Sequence, residues 1–309
     1  MNVDVVIVTY NRLEKLKKTL QCYENQTQPF RNLIVVNNHS TDGTFEYLED
    51  WRKKETPFEK HIITTDDNLG GAGGFYTGEK YAMTMNPDWV FIADDDAYPE
   101  PDMMEEFYKF AKENDIEKYS AVCAAVCNVD GEIFTNHRSY IEVSRKIHFK
   151  KTDSALSDYE KRFFEIDALS YVGPFLNAKA LKKVGLVDPK YFIFYDDTEH
   201  SIRLSKFGKL ICVPRIRIKH DTGVTAKNTC VATENVLSWH DYYFRRNEMA
   251  LKIKHYPLVA LNHLRRQLPF IMAKHDTEEE ILIAQALKDA WLKRMGKHSK
   301  YKPGWSYKQ

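Results

Sequence analysis

Four apolar residues, Trp89, Val90, Phe91 and Ile92, lead through Ala93 into three consecutive carboxylates, Asp94, Asp95 and Asp96, with prolines at 99 and 101. A short apolar run of β-formers predicts a strand buried on both faces. Pro99 and Pro101 stop it, and a helix starts at about Met103. The acids therefore stand at the carboxyl end of a core strand, where open α/β sheets bind ligands. Adjacent carboxylates repel one another, which is costly unless a cation sits among them. In an extended segment alternate side chains share a face, so Asp94 and Asp96 converge while Asp95 points away. Hard oxygen ligands at this density suit Mg²⁺ or Mn²⁺, shared with substrate phosphates. The plain alternative is a solvated acidic turn, but such turns seldom end a wholly apolar strand.

The preceding residues supply the rest of a sheet. Val3 to Val8 is a nearly pure β-branched run, followed by a helical pattern through Leu13, Leu16, Leu20 and Tyr23. Leu33 to Val36 forms a second strand that ends in Asn37-Asn38-His39-Ser40-Thr41-Asp42-Gly43-Thr44, with Asp42 or Thr44 capping a helix that runs to Trp51. His61 to Thr65 is a third strand. These alternations predict a mostly parallel, doubly wound α/β sheet flanked by helices. Asn68-Leu69-Gly70-Gly71-Ala72-Gly73-Gly74-Phe75 then opens a helix through Tyr81 and Met83. Its glycines let a backbone approach a ligand closely, or let a helix lie close on the sheet. The motif follows the third strand, not the first, so it is not a dinucleotide fingerprint.

From Ser120 to Phe149 strand-like pieces predict a small antiparallel portion, and Lys150 to Lys161 reads as a mobile connector. A helix covers Ala178 to Val184, closed by Gly185. Tyr191 to Tyr195 is a second apolar run ending in acid, Asp196-Asp197-Thr198-Glu199, before a helix carrying Ile202, Leu204 and Phe207. Leu210 to Val213 and Arg215 to Lys219 read as two strands that run out at His220-Asp221-Thr222-Gly223.

After Trp239 the chain becomes helical and basic: residues 245–309 hold fourteen Lys/Arg against six Asp/Glu. The division expected is 1–235 and a helical extension, 236–309. That extension would lie on an anionic membrane surface, or pack on the domain or on a second copy of the chain. Its last dozen residues read as a weakly ordered tail. The whole chain of 309 residues carries a formal charge of +1, which argues against a dedicated nucleic-acid binder. Five scattered cysteines, Cys22, Cys123, Cys127, Cys212 and Cys230, fit reduced thiols in the cytoplasm. The start, Met1-Asn2-Val3-Asp4, has no basic leader, and no apolar run approaches the length of a membrane span.

Taken together, Val5 to Arg12, Asn38 to Thr44 and the acidic strand end resemble family 2 glycosyltransferases over roughly residues 3 to 223. The resemblance extends to the galactofuranosyltransferase-like branch, which carries an element like Asn68 to Phe75, a triple Asp, a Trp-Asp-Asp base motif and a late His. Here Tyr195 stands in place of that Trp, and Asn38 where many relatives have Asp. The resemblance implies the GT-A fold, a Rossmann-like nucleotide-sugar domain, and inverting transfer from a UDP-sugar to a hydroxyl of a bacterial surface glycan or lipid-linked acceptor. It implies that Thr9, Asn11, Arg12, Asn38, Asp42, Asn68, Gly70, Gly71 and Asp95 border the donor. Asp94, Asp96 and His220 would hold Mn²⁺ or Mg²⁺, and Asp197 would be the general base.

The chemistry requires such groups: a cation to stabilise the departing diphosphate, and a carboxylate to take the acceptor's proton. Asp197 sits where desolvation would raise its pKa toward the working range, although it also reads as a helix cap. His220 reads equally as a structural histidine at a strand end. Galactofuranose is the leading sugar, with UDP-glucose, UDP-galactose and dTDP-rhamnose donors open. A sugar nucleotidyltransferase would need a glycine-rich loop after the first strand, which Thr9-Tyr10-Asn11-Arg12 lacks. A non-catalytic sugar-nucleotide-binding subunit would have no need of Asp197.

Overall fold

The computed structural model describes residues 1–145, 147–222 and 236–308; Gly223, Cys230 and the boundary drawn at residue 235 lie outside them. Strands β1 (Val3–Thr9), β2 (Asn32–Asn37) and β3 (Glu59–Thr64) alternate with helices α1 (Leu13–Glu24) and α2 (Thr44–Arg52), and α3 (Gly70–Thr84) leads into β4 (Trp89–Asp94). The residues of β1 and β2 are buried throughout, as are those of β4 up to Ala93, which is why these segments read as unbroken apolar runs. All four strands are parallel, in the order β3-β2-β1-β4. The winding reverses at β1, and its register sets Val8 beside Asp94. The acidic strand end thus borders the crevice that such a reversal opens.

The second half follows as β5 (Ala97–Pro99), α4 (Met103–Glu113), β6 (Tyr119–Cys127), β7 (Arg138–Ser144), β8 (His148–Asp153), β9 (Phe164–Ile166), β10 (Ala168–Leu169), β11 (Pro174–Asn177), α5 (Ala178–Val184), α6 (Asp196–Leu204) and β12 (Lys209–His220). They extend the sheet as β11-β6-β12-β5, with β9 on β12 and antiparallel pairs at β4–β11, β11–β6 and β12–β5. A separate ribbon has the order β10-β7-β8.

Three expectations are corrected here. Lys150 to Lys161 is not a connector, because its first residues complete β8 and 156–160 form a 3-10 turn. The polarity of Lys150 to Asp153 marks a solvent-facing ribbon held by backbone bonds to β7. The two strands expected after Gly208 are one strand with a register shift between Val213 and Arg217. Phe207 lies beyond the end of α6 and is exposed.

The carboxyl-terminal part contains β13 (Val236–Ser238), α7 (Trp239–His255), α8 (Pro257–Met272), α9 (Glu278–Trp291) and β14 (Ser306–Lys308). The last dozen residues are not a loose tail. Strand β14 pairs with β13, and Tyr301 is buried with its ring 4.7 Å from that of Tyr242. No described helix is long and apolar enough to cross a membrane.

The packing reading of the glycine-rich stretch holds for part of it. On α3 a Cβ at Gly74 would lie 2.5 Å from Val8 Cγ1, and one at Gly78 would lie 2.2 Å from Val6 Cγ1, so these glycines let the helix lie on β1. Gly71, by contrast, has open space where a Cβ would stand. Next to Gly78, buried Glu79 accepts from the Val187 amide (2.9 Å) and lies 3.2 Å from Tyr171 Oη, which also contacts His200. Burial pushes the Glu79 carboxyl up to about 7.

Two predictions follow from this packing. Gly78→Ala should destabilise the fold by about 1–3 kcal/mol through overpacking against Val6, read as a lower urea midpoint. Glu79 has a folded-state pKa above its ordinary value, so its contribution is full below pH ~4.5 and is lost as pH rises through about 7. The stability of Glu79→Gln relative to the native chain should therefore grow across that window, by up to ~3 kcal/mol. Denaturation at pH 5 and pH 8 measures it; an equal difference at both would refute the assignment.

Candidate active site

The three aspartates divide their work. Asp95 turns toward β1, accepting from Thr9 Oγ1 (2.7 Å), the Tyr10 amide (3.3 Å) and Arg12 (3.4 Å). Asp96 Oδ2 accepts from Arg12 (2.7 Å) and Lys15 (3.3 Å). Asp94 and Asp96 converge with His220, and one ligand atom from each lies within 4.8 Å of the others. The convergence expected of Asp94 and Asp96 is present, although residues 95 and 96 form a turn rather than strand.

His220 reaches the acids because β5 folds straight back against β12. Its backbone pairs with Ala97, and the Asp221 amide donates to Asp96 O (2.9 Å). His220 Nε2 stands 3.2 Å from Asp96 Oδ1, yet that buried oxygen has no well-aligned hydrogen bond. The other ring nitrogen, Nδ1, is 3.3 Å from His137 Nε2, and His137 Nδ1 is 2.7 Å from Ser170 Oγ. Burial and the neighbouring His220 hold His137 well below the usual histidine range, so its ring is neutral. With His137 Nε2 as acceptor and His220 Nδ1–H as donor, the His220 Nε2 lone pair would be free to ligate a cation beside the acids.

The charge balance agrees with this arrangement. Burial and the Asp96 charge push Asp94 up to about 7, and burial pushes Asp95 up to about 6. Asp96 is held below the ordinary range against its burial by His220, Arg12 and Lys15. Two hard oxygen donors, an imidazole and a buried carboxylate oxygen without an aligned hydrogen bond fit Mn²⁺ or Mg²⁺.

Two cavities meet at this cluster and share Arg12, Gly71, Asp94 and Ile193. The first, about 230 Å³, is lined by Tyr10, Arg12, Asn38, Asn68, Gly70, Gly71 and Asp95, and closed by Trp239 and Pro303 from the carboxyl-terminal part. The second, about 500 Å³, adds Asp96, His137, Tyr171, Asp196, Asp197 and His220. A cleft of about 570 Å³ near Met1 and Asp88 lies away from the acid cluster.

Of the residues expected at the donor, Arg12, Asn38, Asn68, Gly70, Gly71 and Asp95 line the first cavity. Thr9, Asn11 and Asp42 brace its loops instead. Asn11 Oδ1 accepts from the Thr41 amide (2.7 Å), and Asp42 accepts from the Leu13 amide (2.9 Å) and from Thr44 Oγ1 (2.6 Å). Asn38 is also a brace: its amide donates to Gly70 O (3.0 Å) and its oxygen accepts from the Leu69 amide (3.0 Å).

Asp197 stands in the first turn of α6, whose N-cap is Tyr195, and lines the second cavity. It accepts from the Thr198 amide (2.5 Å), which satisfies a first-turn donor. Beside it Asp196 is buried, and burial together with the Asp197 charge raises its pKa well above the usual range.

The loop that presents these acids is irregular. Phe192, Phe194 and Tyr195 have φ of 68°, 64° and 62°, a strained region for such side chains. Asn247 of α7 holds it, donating to Tyr191 O (2.9 Å), Ile193 O (2.7 Å) and Phe194 O (3.0 Å), while buried Arg246 donates to Tyr191 O (3.1 Å). His137, Lys15, Trp239, Pro303, Arg246 and Asn247 escaped sequence reasoning. Only the adjacent Arg246-Asn247 pair inside an otherwise amphipathic helix hinted at a buried polar role.

Comparison with known proteins agrees with this geometry. Residues 4–172 match the family described as glycosyl transferase family 2. The chain is 29% identical over 210 residues to galactofuranosyltransferase GlfT1 of Mycobacterium tuberculosis, an alignment covering 67% of this chain and 66% of that protein. The chain thus spans just under two thirds of the length of that curated relative. Among solved structures, Staphylococcus aureus TarS 1–349 in complex with UDP superposes with a TM-score of 0.58 at 15% identity, covering 94% of this chain and 80% of that one. GalNAc-T7 with UDP, GalNAc and Mn²⁺ superposes with a TM-score of 0.60 at 12% identity, covering 94% and 56%. The fold is GT-A, a mostly parallel sheet with a few antiparallel strands, and the chain belongs to glycosyl transferase family 2.

Proposed function

We propose that this enzyme is an inverting, metal-dependent transferase that moves a sugar, galactofuranose first among the candidates, from a UDP-sugar to a hydroxyl of a bacterial surface glycan or lipid-linked glycan. The observation that carries this reading is the Asp94–Asp96–His220 cluster at the junction of two cavities in a family 2 glycosyltransferase. Similarity to a protein named as a galactofuranosyltransferase supports the sugar. In this reading residues 1–235 form the nucleotide-sugar domain, 236–309 its helical extension, and the enzyme works from the cytoplasm.

The donor would occupy the smaller cavity, against Arg12, Asn38, Asn68, Gly70, Gly71 and Asp95, with Thr9, Asn11 and Asp42 fixing the loops around it. Arg12, half-exposed while paired to Asp95 and Asp96, presents a guanidinium to the diphosphate. Asp94, Asp96 and His220 would hold Mn²⁺ or Mg²⁺, which supplies Lewis-acid stabilisation of the departing diphosphate. His137 keeps the His220 Nε2 lone pair available. The acceptor would enter the larger cavity, where Asp197 accepts the hydroxyl proton as the new glycosidic C–O bond forms and the anomeric C–O bond to UDP breaks.

A panel of UDP- and dTDP-sugars, assayed with Mn²⁺ and with EDTA, tests the donor and the metal together. Transfer from no UDP-sugar, or equal transfer in EDTA, would be evidence against the proposal. Asp197→Asn should retain UDP affinity and lose at least about 100-fold in kcat. Undiminished turnover would remove Asp197 from the base role. Asp96→Ala should weaken UDP binding only when Mn²⁺ is present. His137→Ala should lower Mn²⁺ affinity, followed by paramagnetic resonance, by about 10–100-fold without changing metal-free UDP binding.

A further inference from the structure

We infer that α8 is a docking face for an anionic lipid bilayer. Leu258, Leu261, Leu268 and Met272 are exposed by 53%, 59%, 47% and 77%, although large apolar side chains normally seek burial. Together with Arg265 they fall at spacings of three and four, which gathers them into one stripe along the helix. Exposed Arg266 follows on α8, and exposed Lys274 just beyond its end. Among the described residues, none of these three cations is in an ion pair. Residues 249–275 contain five Lys/Arg and no Asp or Glu.

The position of Arg265 decides between occupants. A second copy would have to pack the stripe on itself. Arg265 lies at the middle of the stripe, so a two-fold pairing, parallel or antiparallel, would bury one Arg265 against the other. Two unpaired guanidiniums in an apolar seam oppose that association. Lipid phosphates answer the same arrangement: the leucines enter the acyl boundary while the arginine heads reach the phosphate layer.

The surroundings are consistent with this. An apolar cleft of about 190 Å³, lined by Val143, Tyr256, Leu258 and Val259 among others, lies at the start of the stripe. The β7–β8 ribbon links this end of α8 to the acceptor cavity. Asn262 donates to Ile147 O (3.3 Å), Phe149 packs 5.2 Å from the Tyr256 ring, and Lys151 donates to Thr198 Oγ1 (3.2 Å), next to Asp197. The face thus adjoins the side of the site assigned to the acceptor.

This deepens the lipid-linked reading of the acceptor. The test reads vesicle binding rather than turnover, so its failure would leave the donor chemistry standing. The full chain is floated with phosphatidylcholine vesicles holding 0 or 30% phosphatidylglycerol, and UDP binding in each sample certifies the fold. Binding should need phosphatidylglycerol, weaken with salt, and fall by about 10–30-fold in Arg265→Gln/Arg266→Gln. Leu261→Asp/Leu268→Asp should abolish it with UDP binding retained. Binding indifferent to lipid charge, or unchanged in both variants, overturns the inference. So does a dimer in sedimentation that the leucine variant dissociates, since a second copy would then be the occupant.

Discussion

Clustered negative charge at the end of a buried strand is the constraint on which the site depends. Asp94, Asp95 and Asp96 cannot all ionise in a desolvated position without positive groups beside them, and the fold brings two such groups close. Arg12 comes from the loop after β1 and Lys15 from the start of α1, while the His220 ring closes on Asp96 from the end of β12. The balance remains incomplete. Asp94 is held partly protonated near neutrality, and Asp96 Oδ1 lacks an aligned donor, so the cluster favours a divalent cation. That incompleteness is what the proposed cation and diphosphate would relieve.

A second constraint is the strained approach to α6. Three bulky residues with positive φ among four consecutive positions do not persist unless other parts of the structure hold them. One asparagine of α7 takes three carbonyls of that loop, and the start of α3 closes on it from the other side, the Ala72 amide donating to Phe192 O (3.1 Å). The presentation of Asp196 and Asp197 therefore depends on the carboxyl-terminal helices. Trp239 of α7 and Pro303, between α9 and β14, line the smaller cavity, so the basic extension contributes to its wall.

The alternating strands and helices of the first hundred residues were legible because β1, β2 and β4 are buried on both faces and read as unbroken apolar runs, with helical patterns between them. The acid pair was legible for the same reason: a carboxylate run that ends an apolar strand has few bland explanations. Roles along the first two loops were harder to read. Asn11 and Asp42 are polar loop residues like Asn68, and all three side chains tie loop segments together, yet of the three only Asn68 lines the cavity. Residue type cannot separate these cases, because both need short hydrogen-bonding side chains. The polar ribbon at β8 misled for a related reason, since a strand exposed along one length shows no apolar run.

The order of residues alone determined the fold class, the acidic strand end and the glycine-rich helix start, because these are local patterns of burial and backbone freedom, and the motifs among them carried the resemblance to the family. Tertiary structure decided what local pattern cannot carry. It set which histidine faces the acids and which second histidine orients it. It divided the glycines between packing and cavity, and it turned the chain's last residues into a paired strand beside a buried tyrosine. Each of these depends on contacts between segments far apart in the chain, and such contacts leave no periodic trace in the residues that make them.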